Sequence, residues 1–184
     1  MRALTPSEFQ ALREVAAALG TTEDKLAALV EFESEWDPQA SNPRSSAKGL
    51  LQFMDLTARE MGFASSRALV DAFPDVESQL RGPVLWYLRP MAPFHTLQSL
   101  AMAVFYPAFR NASPDTVFPF KVRQANPGIV TVSDYVRHVE SRLERARAAL
   151  AHFISSAGEH PGTVAGVVVG LVGIAALAKW LSGH

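Results

Sequence analysis

The chain has 184 residues, no cysteine, 48% hydrophobic residues, and 17 Lys+Arg against 18 Asp+Glu. That length holds one domain and an appendage. The missing cysteines exclude a disulfide scaffold, a thiol nucleophile and every thiolate metal site, and the balanced charge speaks against electrostatic nucleic-acid binding.

The pattern predicts helices throughout and no strand alternation. Thr5-Pro6-Ser7-Glu8 is a capping box with proline at the first helical position, and Gly20 closes that helix. Thr21 or Thr22 caps a second helix running to about Trp36, ahead of Pro38. A third helical segment is expected over about Gly49 to Met61, ending at Gly62. Leu80 to Leu88, interrupted by Gly82-Pro83, and Leu97 to Phe109 follow. Ser133 begins a long helix with an apolar stripe of Val136, Val139, Leu143, Ala146, Leu150 and Phe153. Asp37 to Lys48 and Arg110 to Thr131 are long irregular segments rich in Pro, Asn and Ser, the kind of ordered loop that carries function.

The two ends differ. Met1 to Pro6 has no apolar core of a signal peptide. From Pro161 to His184 the only Lys, Arg, Asp or Glu is Lys179. A bilayer-spanning helix needs about 20 apolar residues, and Lys179 and Trp180 suit a membrane boundary. Gly162, Gly166 and Gly170 form a GxxxGxxxG row that lets helix backbones approach closely. The expected organisation is therefore a domain over residues 1–153, a hinge over 154–162, and a membrane-spanning or assembly-inserting helix over 163–181. A buried hairpin helix, or one packed within a larger assembly, is the alternative for the tail.

The most informative residue is Glu33. On a helical wheel at about 100° per residue with Leu26 at zero, Leu29 falls near −60°, Val30 near +40° and Glu33 near −20°. Glu33 thus lies inside the apolar stripe, whereas Glu31 and Glu35 fall on the polar side, where solvated carboxylates are expected. An apolar setting favours the neutral carboxyl and raises its pKa, as a general acid for glycoside cleavage requires. The plainer reading is a helix-end Glu that caps a loop or pairs with Lys48 or an Arg.

The neighbouring residues add to this. Glu33-Ser34-Glu35-Trp36-Asp37-Pro38-Gln39-Ala40 is followed by Asn42-Pro43, Ser45-Ser46-Ala47, Gly49-Leu50-Leu51-Gln52-Phe53-Met54 and Thr57-Ala58. This order resembles the E-S-x-F/W-D/N-P-x-A and G-L-M/I-Q-F/L-M-P-x-T-A motifs of the soluble-lytic-transglycosylase family, a lysozyme-like (goose-type) all-α fold. The wording is most similar to phage-encoded members. Tyr106-Pro107 sits where that family has A-Y-N-x-G, with Pro107 in place of Asn and Phe109 in place of Gly. Asn126 to Val136 resembles the segment that brings a tyrosine into the cleft.

The resemblance implies that Glu33 is the single catalytic acid and base, cleaving between N-acetylmuramic acid and N-acetylglucosamine with a 1,6-anhydro product. Ser34 would orient Glu33 or the acetamido group, and Gly49 would allow close backbone approach. Leu50 and Gln52 would line the cleft floor, and Tyr106 and Tyr135 would contact the sugar or Glu33. The bland readings are a solvated helix Gln52 and core tyrosines; Trp36 and Phe53 read as core. Asp55, standing where the family has proline, could act as a second carboxylate; an inverting hydrolase would need it roughly 6.5–9.5 Å from Glu33. The five histidines lack metal-ligand spacing, and His138 and His152 read as solvated. The sequence therefore predicts a peptidoglycan lytic transglycosylase acting on glycan strands without cofactor, metal or nucleic acid. It would be carried in a phage virion or tail, act in the host periplasm during genome entry, and reach membrane or tail proteins through its glycine-rich helix. The alternatives are a membrane-tethered lysozyme-type endolysin and a non-catalytic structural or membrane-channel component with the same fold; a holin-like pore fits only the tail.

Overall fold

Thirteen residues, Pro6–Ala18, make up α1 of the computed structural model, which describes residues 1–158. The expected capping box is formed: the Glu8 N–H donates to Thr5 Oγ1 and the Thr5 N–H to Glu8 Oε2. Helix α2, Glu23–Ser34, starts after Thr22, whose hydroxyl bonds to Asp24 Oδ1 rather than to a helix N–H. It stops two residues before the expected Trp36, because Glu35 and Trp36 both take positive φ. Leu26 to Val30 are buried without a break. A helix buried on that many sides is an inner one, and α1 is among its neighbours.

Several expected elements are redrawn. Asp55–Glu60 forms α3, but residues 49–54 do not join it. They make a turn closed by the isolated bridge Lys48↔Phe53, with Gly49 and Gln52 at positive φ. Helix α4, Ser66–Ala72, had no counterpart in the sequence reading. Val76–Gln79 is α5, continued by a π-turn over Leu80–Val84 with a break at Gly82, and then by α6, Leu85–Leu88. A Cβ on Gly82 would come within 2.7 Å of the Phe73 ring, so this kink requires glycine.

Helix α7 spans Leu97–Phe105 and ends in a short turn over Pro107–Phe109. The irregular stretch after it contains α8, Phe120–Ala125. The long C-terminal helix divides into α9, Val132–Glu140, and α10, Leu143–Gly158. Thr131, not Ser133, caps α9, in a box with Asp134. At the break the Ser141 hydroxyl donates to His138 O, a local bond that competes with the helical ladder. The expected stripe survives the break, with Val139, Ala146 and Leu150 buried. Helix α7 packs on α9, and both meet α2. Among the described residues there are isolated bridges and no strand, and no helix is long and apolar enough to cross a membrane. The end of the expected hinge and the apolar segment 163–181 lie outside the described residues.

One core runs through Met1–Phe153, with Leu12, Leu19, Leu26, Leu29, Trp36, Leu50, Leu80, Leu88, Phe94 and Phe118 sealed from solvent. Burying each such side chain is worth roughly 1.5–3 kcal/mol. Trp36 and Phe53 are core, as expected. The wheel placed Glu31 on the polar side, but it is buried: its Oε1 lies 2.8 Å from the Met1 ammonium. The error follows from α2 having no open face at that turn.

Candidate active site

Glu33 lies in the last turn of α2, one residue before the chain leaves the helix. The two left-handed residues that follow cost on the order of 1–3 kcal/mol each. They are held by the Trp36 side chain, which is fully buried, and by the Glu35 N–H bond to Glu31 O. The sharp exit leaves Glu33 half-buried, and no Lys or Arg pairs with it among the described residues.

Its partner is Tyr135 of α9, whose hydroxyl donates to Glu33 Oε1. Tyr135 is only 2% exposed. The Phe105 ring lies flat on it, with centroids 4.1 Å apart and planes 14° apart, and the Phe32 ring meets it at 5.4 Å and 90°. Burial pushes the Glu33 carboxyl up to about 7, while the Tyr135 bond pulls in the other direction. Burial and the Glu33 charge both drive the Tyr135 phenol well above its ordinary range, so it remains a donor at any working pH. The geometry therefore presents a carboxyl poised between its acid and base forms near neutrality, with one oxygen held. That is what a proton donor that later accepts a proton needs.

Ser34 is buried and its hydroxyl donates to Val30 O, a bond within its own helix. Gly49 and Leu50 are at the base of the turn after α2. The Gly49 N–H donates to Ala40 O, and the Leu50 N–H to Gln79 Oε1. Gln52 Nε2 donates to Gly49 O at 3.0 Å, so its amide closes its own turn. Tyr106 is half-buried, edge-on to Phe109 at 4.7 Å and to Phe118 at 5.8 Å. The bond to Glu33 is made by Tyr135. His138 is exposed, with its ring over Phe32 at 6.3 Å; the His152 side chain lies outside the described residues.

Asp55 is committed elsewhere. Its Oδ1 accepts from the Ser66 N–H and Oγ, and Arg59 lies 3.7 Å from Oδ2. The Ser66 backbone bond leads the contacts that hold its pKa below the ordinary carboxylate range. Two surface concavities, of about 430 and 390 Å³, are lined by Met91 with Pro107–Ala112 residues and by Arg2, Glu8 and residues around Trp36 and Asp75. Neither contains Glu33. Among the described residues, no His, Asp and Glu cluster could hold a metal.

Gln79 is a loop-holding residue that the sequence reading missed. It is fully buried and satisfies three backbone groups: it accepts from Leu50 N–H, and its Nε2 donates to Pro38 O at 2.7 Å and Phe73 O at 2.9 Å. It pins both ends of the loop after α2 to α5. A Cβ on Gly49 would come within 2.6 Å of Gln79 Oε1, which is why the loop has glycine there. A signal existed: Val76, Gln79 and Leu80 share a helix face, so Gln79 is a polar residue inside an apolar stripe, as Glu33 is.

An inner helix that ends in one proton-poised carboxyl bonded to an aromatic wall is an arrangement suited to the acid of a glycosidase. Residues 10–83 match the family model described as the Transglycosylase SLT domain. This is the domain of lytic transglycosylases, enzymes that cleave glycosidic bonds of peptidoglycan, and it makes the chain an enzyme of that kind. The matched stretch includes Glu33, Ser34, Gly49, Leu50, Gln52 and Gln79, whereas Tyr106 and Tyr135 lie beyond it. No curated protein and no solved structure matches the chain.

Proposed function

We propose that the chain cleaves the β-1,4 bond between N-acetylmuramic acid and N-acetylglucosamine by intramolecular transglycosylation, with Glu33 as the only catalytic carboxyl. Glu33 gives its proton to the glycosidic oxygen, the bond from that oxygen to the muramic C1 breaks, and oxocarbenium-like charge develops at C1. The resulting carboxylate takes the proton of the muramic C6 hydroxyl as O6 bonds to C1. The 1,6-anhydro ring closes, Glu33 is protonated again, and no water is consumed. Tyr135 holds one carboxyl oxygen throughout. Gln52 is assigned to the cleft floor, with Gly49 and Leu50 buried beneath it, Tyr106 to its edge, and Ser34 to fixing the last helical turn behind Glu33.

The observation that carries this reading is the Glu33 carboxyl itself, pushed up to about 7 and bonded by a phenol that stays protonated. The commitment of Asp55 to Ser66 and Arg59 weighs against a water-activating second carboxylate. The test is the mass of products released from purified peptidoglycan. Muropeptides one water lighter than hydrolysis products, lost in Glu33→Gln, are expected. Reducing-end products would make the enzyme a lysozyme. No products from either protein would favour the structural role.

We also propose delivery in a phage particle, with the glycine-rich segment 163–181 inserting in the host membrane or among tail proteins. The phage-like wording of the Glu33 motif and the uncharged run from Pro161 to Ala178 support it. Mass spectrometry of purified particles should find the chain; its absence there would sink the delivery reading.

A further inference from the structure

We propose that Phe105 is a positioning residue for the bond between Glu33 and Tyr135: its ring keeps water from that bond and so sets the pH at which Glu33 surrenders its proton. The inference rests on the reading of Glu33 as the acid. Phe105 is the last residue of α7, the helix that packs on α9 and meets α2. Its ring covers one face of the phenol, the Phe32 edge meets the phenol from elsewhere, and Phe118 buttresses Phe105 edge-on at 5.2 Å. Phe118 is sealed in the core, while Phe105 is only half-buried. Phe105 is thus the outer ring of the stack, placed between the phenol and solvent rather than deep in packing.

The charged groups around Glu33 leave few other sources for its proton affinity. On its own helix, Glu31 is turned to the Met1 ammonium and Glu35 is exposed. Helix α7 has no ionisable residue. On α9, Tyr135 bonds directly, His138 is exposed over Phe32, and Asp134 is taken up by Thr131 and Arg137. Burial is the dominant influence on Glu33, and the phenol opposes it. A group whose affinity comes from exclusion of water depends on whatever excludes the water. Removing the flat ring admits water to the phenol and carboxylate together, which favours the charged form.

The experiment titrates the Glu33 carboxyl carbon by NMR in the full chain, with the resonance assigned by its loss in Glu33→Gln. Wild type, Phe105→Ala and Phe105→Leu are compared, each with its pH profile of kcat and KM on peptidoglycan. Phe105→Ala should move the Glu33 midpoint down by about one pH unit or more, with the alkaline limb of the rate profile following and KM little changed. Phe105→Leu, which keeps apolar cover but no flat ring, should move it by about half as much. Midpoints within about 0.3 unit of wild type in both variants would overturn the proposal. So would a raised KM with an unmoved midpoint, which would make Phe105 a sugar contact. If Phe105→Ala does not fold, Phe105→Leu decides alone. The midpoint is read without substrate, so a shift in a chain that yields no anhydro product refutes the proposed reaction and leaves this inference standing.

Discussion

The loop after α2 and the aromatic wall that faces α2 are held by opposite means. The loop, residues 37–53, is held by directional polar bonds. Gln79 collects Pro38, Leu50 and Phe73, Gln52 closes on Gly49, and Asp55 ties Ser66, whose hydroxyl also reaches Ser46 O. The wall, Phe105, Tyr106, Phe109, Phe118 and Tyr135, is held by ring contacts, with the Tyr135 phenol its polar link to Glu33. Polar bonds fix where backbone atoms lie; stacked rings fix what water can reach. The loop should therefore control whether sugar is held, and the wall should control at what pH it is cleaved.

The largest effect is expected at Glu33, which the wall bonds directly and which the loop follows in the chain. Glu33→Gln removes the proton donor, and a rate loss of about 10²–10⁴ is expected, read on purified peptidoglycan. Stability should change in the opposite direction. The folded-state pKa of Glu33 is raised above the ordinary 4.5 to about 7. Its stabilising share is complete below the unfolded value and is lost as pH rises through the folded one. The melting temperature of Glu33→Gln relative to wild type should therefore climb between these two values and level off above them. A flat difference would mean that Glu33 is not held from water at all.

Tyr135→Phe tests the wall. The lost phenol donor removes the one contact that favours the carboxylate, so the alkaline limb should move to higher pH, the reverse of the Phe105 variants. A drop in kcat of about tenfold is expected from a carboxyl that is less well oriented. A limb that moves down instead would show that the phenol seals Glu33 more than it bonds it.

Gln79→Leu tests the loop. It leaves Leu50 N–H, Pro38 O and Phe73 O without their partner, and an unpaired buried polar group costs about 1–3 kcal/mol. A lower denaturation midpoint and a raised KM are expected, with the pH limb unmoved. A limb that shifts with KM unchanged would erase the division between loop and wall.

This division also explains what could be read from the sequence. The α1 cap and the place of Glu33 on the apolar side of α2 are written in residues three and four apart, and the sequence reading recovers both. The Glu33–Tyr135 bond joins positions 102 apart, and the sequence reading reached it only through the resemblance to a family. Phe105 had no local mark, because a ring that ends an apolar helix looks like any core residue. Residues 49–54 read as helix because their apolar order suits one; Gln79, far along the chain, and the positive φ of Gln52 decide otherwise. Glu31 was misplaced because a wheel knows one face, and α2 is buried on more than one.

Asp55 offers the smallest effect and the narrowest test. It stands near the start of α3 and bonds the first residue of α4, so it acts as a clasp between two short helices. Asp55→Asn keeps an acceptor for the Ser66 N–H but removes the charge facing Arg59. The melting temperature should fall slightly at neutral pH. Because the folded pKa lies below the ordinary value, that deficit should vanish as pH drops through the folded pKa, where wild-type Asp55 is itself protonated. Product masses and kcat should be unchanged. A fall in kcat with the fold intact would instead give Asp55 a part in the chemistry, and the reaction would have to be rewritten with two carboxyls.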